Sequence, residues 1–142
     1  MKRVTIGVFL AILAVAGVSH AFVGEIPEDL AVRALIGEAG GQSDAELYAH
    51  ACALLNRGTL QGVYGIYSKN AQNSTQGQIN RATRAWQLAQ VSNNDVTNGR
   101  TEWRSDYDLK LMAKKGRTPA GQGLYDGLKI GQTTFYRLKG KR

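Results

Sequence analysis

Residues 28–58, EDLAVRALIGEAGGQSDAELYAHACALLNRG, decide the fold. Ala31, Ala34, Leu35 and Glu38 recur at i, i+3, i+4 and i+7, so they share one face of a helix over 28–39. Pro27 suits the start of that helix, and Gly40-Gly41 ends it. Ser43 and Glu46 have the spacing of a capping box, which starts a second helix at Ser43. From Leu47 to Leu55 this helix is apolar almost all round, the pattern of a central, buried helix. Asn56-Arg57-Gly58 closes it, with Gly58 as the stop signal.

Outward from this pair the signals weaken. Residues 59–73 read as a structured surface loop whose Tyr64 and Tyr67 are expected to anchor in the core rather than to offer exposed stacking faces. A third helix is expected over 75–91, with Ile79, Ala82, Trp86 and Ala89 as its inner stripe. Asn98-Gly99 signals a turn between two short segments, 95–97 and 100–103. A short helix is expected over 106–115. The stretch 116–127, with four glycines and Pro119, reads as a loop, and 129–138 as one strand. Helices followed by short strands predict a single helix-rich α+β domain with a small β element toward the C-terminus.

The N-terminal residues read differently. Lys2 and Arg3 precede the uncharged apolar run Val4–Val18, and Ser19-His20-Ala21 follows with small residues at the positions that govern cleavage. Residues 1–21 therefore have the pattern of a signal peptide, with an uncleaved anchor as the competing reading; the domain occupies 22–142. Membrane contact is expected only through this N-terminal segment. Cys52 is the sole cysteine, so no intramolecular disulfide supports the domain. Its apolar neighbours mark it as packing, although His50 is a conceivable base for it. The formal charge is +7; removing Lys2 and Arg3 leaves 16 basic against 11 acidic side chains, or +5. That balance favours a polyanionic partner. Nucleic acid is not expected, because no helix interleaves a basic stripe with exposed aromatics.

Glu38 is the unusual residue. A carboxylate on an apolar helix face costs several kcal/mol, as an order of magnitude, unless it is paired or neutralised. Burial against Ala34 and Leu35 and the partial negative charge at the helix C-terminal end both penalise its charged form. The Gly40-Gly41 corner removes side-chain bulk beside it. On periodicity alone, the plainer reading is an ion pair with Arg33 or Arg57.

Three ordered motifs add to this. Ala31-Val32-Arg33-Ala34-Leu35-Ile36-Gly37-Glu38-Ala39, with the second helix ending in Leu55-Asn56-Arg57, resembles the opening of the spore-cortex-lytic (SleB-like) cell wall hydrolases. Asp95-Val96-Thr97-Asn98-Gly99-Arg100-Thr101-Glu102-Trp103 resembles that family's Asp-Pro-Thr-x-Gly-Ala-Thr-His-(Phe/Trp) segment. Lys129-Ile130-Gly131-Gln132-Thr133-Thr134-Phe135-Tyr136 resembles its closing Ile-Gly-x-His-x-Phe-Tyr strand. The resemblance spans residues 31–136.

The resemblance implies a lysozyme-like fold and cleavage of the N-acetylmuramic acid to N-acetylglucosamine bond of peptidoglycan, while the N-terminal segment predicts a periplasmic or secreted location. Glu38 maps onto the catalytic glutamate. Trp103, Phe135 and Tyr136 are candidates to line the glycan groove, and Asn56 and Thr97 to bind acetamido groups. Two family histidines are replaced, by Glu102 and by Thr133. Glu102 reads either as an exposed turn residue or as a second carboxylate at the substrate. No metal site can be assembled around His50, and no cofactor is expected. With one assured carboxylate, the expected route is that of a lytic transglycosylase rather than a hydrolysing muramidase. A non-catalytic peptidoglycan-binding module is the competing function, supported by the missing histidines and the positive charge.

Overall fold

The computed structural model describes residues 25–140, so the signal-peptide segment lies outside the described residues. The chain folds as a helix-rich α+β domain, as its sequence predicts. Its elements are α1 (Glu28–Ala39), α2 (Asp44–Arg57), α3 (Lys69–Gln72), α4 (Gln76–Val91), β1 (Glu102–Ser105), α5 (Asp106–Lys114), β2 (Leu124–Ile130) and β3 (Thr133–Leu138). The strands form one antiparallel sheet in the order β1-β3-β2.

Helix α2 is buried for the reason its sequence indicates: it has two apolar sides to cover. On one side Leu47, Ala51, Cys52 and Leu54 pack with α1 and α4, where Ala31, Ala34, Leu35, Ile36, Ala82 and Trp86 are buried. Small residues at these contacts let the helix axes approach closely. On the other side Ala49 and Ala53 meet Phe135 of β3, which is fully buried. Both helix starts have reciprocal caps, Ser43 with Glu46 on α2 and Thr75 with Gln78 on α4. Gly58, at φ 68°, ends α2 in the left-handed conformation.

Glu46 does more than cap. Its carboxylate also accepts the backbone N–H of Gln132, in the turn between β2 and β3. Gly131 adopts φ 59° there, and a Cβ at this position would overlap the Glu46 carboxyl. One side chain thus closes the α2 start and pins the β2–β3 turn against it.

The structure corrects four expectations. The segment 129–138 is not one strand: it turns at Gly131-Gln132 into the β2–β3 hairpin, with Ile130 opposite Thr133. Part of the expected 116–127 loop is β2, which bulges between Tyr125 and Leu128, with Asp126 at φ 53°. Asn98-Gly99 does turn, but 95–97 is no strand. The Asp95 carboxylate takes the N–H groups of Thr97 and Gly99, giving the backbone a local alternative to a ladder. The strand partner of β1 is instead β3. Finally, Tyr64 and Tyr67 lie on a 3-10 turn over Tyr64–Tyr67 and are 78% and 74% exposed. Val63 and Ile66 supply the inward contacts of that loop.

Glu46→Ala removes both the α2 cap and the acceptor for Gln132, and is expected to lower stability by about 2–4 kcal/mol. Denaturant unfolding measures it; a loss below about 1 kcal/mol, the scale of a cap alone, shows that the hairpin turn is not held by Glu46.

Candidate active site

Glu38 sits in the last turn of α1 and is half-buried. It forms no ion pair among the described residues, so the expected bridge to Arg33 or Arg57 is absent. Two N–H donors meet it instead. The Gly65 backbone N–H donates to Oε1 at 2.8 Å, and the Trp103 indole N–H to Oε2 at 3.0 Å. Each oxygen keeps a lone-pair direction free, so the group can hold or accept a proton without losing either contact.

Close packing makes the first contact possible. A Cβ on Gly37 would overlap the Gly65 carbonyl, and one on Gly65 would lie 2.5 Å from Glu38 Oε1. Glycine at both positions lets the 59–68 loop lie directly on α1.

Trp103 is held from the α2 side. His50 is buried and meets the indole edge-on, with ring centroids 5.6 Å apart; it meets Phe135 in the same way at 5.1 Å. His50 Nδ1 lies 2.8 Å from the Glu46 carbonyl, which needs a donor, so the hydrogen belongs on Nδ1. Burial lowers the His50 pKa from its ordinary 6.5, against the opposing pull of the Glu46 carbonyl and the Glu38 and Glu46 carboxylates.

Arg57, at the end of α2, donates to Glu102 at 2.6 Å, with side chains only 18% and 15% exposed. Its guanidinium carbon lies 5.8 Å from the Trp103 ring centroid, and it also donates to the Gln61 carbonyl. Glu102 is therefore neither an exposed turn residue nor a free carboxylate.

These side chains line a groove of about 600 Å³ whose walls include Glu38, Arg57, Tyr64, Glu102 and Trp103. Of the sequence candidates, Glu38, Glu102 and Trp103 come together here. The other four do not line it. Asn56 donates to Asp95, Thr97 and the Arg100 carbonyl, and Thr97 is fully buried against Asp95, so both serve a polar knot that fixes the 95–100 turn. Those bonds hold the Asp95 pKa below its ordinary value although burial opposes them. Phe135 is core, and Tyr136 is buried under Gly127. Thr133, where a histidine was expected, is buried near Gln42 and also does not line the groove. Cys52 is buried and burial raises its thiol pKa, the opposite of what a nucleophile needs.

The sequence reading missed Gly65 as a donor, His50 as the support of Trp103, and Tyr64 as a groove wall. Gly37 within a helix was the one available signal for the close contact, since glycine there is unfavourable without a packing reason. Among the described residues no cluster of His, Cys, Asp or Glu is arranged to hold a metal ion. No helix among them is long and apolar enough to cross a membrane. No protein-family model, curated protein or solved structure matches the chain.

Gly37→Ala places a methyl group against backbone, which cannot swing aside, and is expected to cost about 2–4 kcal/mol in denaturant unfolding. A variant as stable as the parent contradicts the Gly37–Gly65 contact. The lowered His50 pKa also sets a pH dependence. The unfolded chain binds the additional proton as pH falls through 6.5, so this stabilisation is complete above that pH and declines below it. Unfolding midpoints from about pH 8 to pH 5 are expected to fall in the parent and to flatten over that window in His50→Phe. Equal slopes contradict a neutral, buried His50.

Proposed function

We propose that this chain cleaves the glycan strand of peptidoglycan, with Glu38 as general acid and base. The observation that carries the reading is the Glu38 carboxyl, gripped by the Gly65 and Trp103 N–H groups in the wall of a 600 Å³ groove. The three sequence motifs point the same way. The signal-peptide pattern of residues 1–21 suits work outside the cytoplasmic membrane.

Protonated Glu38 donates its proton to the glycosidic oxygen as the bond to C1 breaks, leaving an oxocarbenium-like sugar. The two N–H donors stabilise the carboxylate left behind, because they already face its oxygens. The 6-hydroxyl of the same sugar then attacks C1, and Glu38 takes back the hydroxyl proton. The products are a 1,6-anhydro end and a free 4-hydroxyl, with no water consumed. The Arg57–Glu102 pair favours this route over hydrolysis. It commits the other half-buried carboxylate of the groove to a cation, whereas a retaining or inverting hydrolase needs that group as nucleophile or base. Tyr64, exposed beside Gly65, offers a sugar-stacking face at the same wall.

Glu38→Gln preserves the shape and is expected to cut lytic activity on purified peptidoglycan at least about 10³-fold, the scale of losing a positioned acid. A zymogram measures it, and undiminished lysis would falsify the role of Glu38. A parent chain that binds peptidoglycan without lysing it points to the binding-module reading. Mass spectrometry of the digest is expected to find anhydro ends; hydrated reducing ends alone overturn the transglycosylase route.

A further inference from the structure

The groove has a second chemical character besides that of Glu38. Arg104, Lys115 and Arg117 also line it, together with Gln122. None of the three forms an ion pair among the described residues, whereas Arg57, Arg100, Lys129 and Arg137 each do. Arg57 pairs with Glu102, Arg100 and Arg137 share Asp126, and Lys129 pairs with Asp106. Asp108 lines the same groove, but its carboxylate accepts from the Ser105 hydroxyl at 2.7 Å and from the Ser105 N–H, as the cap of α5.

Arg104 is oriented rather than loose. One terminal nitrogen donates to the Trp103 carbonyl at 2.6 Å and the other to Gln122 Oε1 at 3.1 Å. Its backbone adjoins Trp103, the residue that holds Glu38. Next to the groove lies a second hollow of about 360 Å³ formed by Gly116, Arg117, Thr118, Gly121 and Gln122. Arg117 and Gln122 belong to both spaces. A linear polysaccharide does not need a second hollow, but a substituent leaving the strand does.

We propose that Arg104, Lys115 and Arg117 form a carboxylate-binding subsite that receives the acidic peptide arm of the glycan strand while Glu38 faces the sugar bond. The subsite rests on the glycan-cleaving reading for its substrate. It makes this chain selective for peptide-bearing strands over neutral glycan. Guanidinium and ammonium groups recognise carboxylates through charge-assisted hydrogen bonds, and a groove concentrates their field.

The test uses peptidoglycan freed of phosphate polymers in three forms: native, with its carboxyl groups converted to methylamides, and stripped of peptides so that only the sugar lactyl carboxylate remains. The parent is expected to show an apparent KM about 5- to 20-fold lower on the native form than on the amidated form, the scale of two or three part-exposed charge contacts. Lys115→Gln/Arg117→Gln, which alters only exposed side chains, is expected to erase most of that difference with kcat nearly unchanged. Arg104→Gln is expected to add to the effect. Equal KM on native and amidated material overturns the subsite, as does a variant that loses equally on both. Stripped strands handled as well as native ones overturn the assignment to the peptide arm and move it to the sugar carboxylate. Co-sedimentation with the three forms reads the subsite without catalysis. An inactive parent that still prefers native material overturns glycan cleavage and supports the subsite, and equal co-sedimentation overturns the subsite whatever the activity.

Discussion

A half-buried carboxylate without a cation beside it must be satisfied by N–H donors, and Glu38 draws its two from elements far apart in the chain. Gly65 comes from the loop after α2, and Trp103 from β1 in the sheet. The carboxyl therefore joins the helical layer, the loop and the sheet at one point. Gly37 and Gly65 let the loop backbone close on α1, and His50 with Phe135 keeps the indole edge turned toward the acid. Gly37, His50 and Phe135 act on Glu38 through packing and contribute no chemistry of their own.

Helix α2 organises the remainder from its two ends. At its start Glu46 caps the helix and fixes the β2–β3 turn. At its end Asn56 binds the 95–100 turn, and Arg57 binds β1 through Glu102. A central helix has its backbone occupied by its own hydrogen bonds, so only its termini and side chains remain for tertiary contacts. The residues that resemble a family motif at Asn56 and Thr97 have this structural task here.

The helical half was legible because it follows from short-range rules. The 3.6-residue period, the Ser43–Glu46 cap and the Gly58 stop each refer to residues within four positions of one another. The β half was legible in kind but not in detail. The Asp95 side chain displaces a ladder that Asn98-Gly99 suggests, and the hairpin turn at Gly131 depends on Glu46, far back in the sequence. The site divides in the same way. Glu38 is visible as a charge on an apolar stripe. Its donors are not, because Gly65 contributes only backbone and Trp103 is 65 positions away. Tyr64 was misplaced because an aromatic in a loop gives no sign of which way its backbone will turn.

The strand order carries a consequence for timing. Among the described residues β1 has β3 as its only strand partner, and β3 lies at the far side of α5 and β2 in sequence. Trp103 therefore reaches Glu38 with its ladder in place only after the last strand docks, although α1, α2 and α4 can close their alanine-lined contacts earlier. Non-local pairings form late because loop closure must precede the contacts that reward it. The contact that orients the Glu38 carboxyl thus depends on a strand pairing that closes a long loop of the chain.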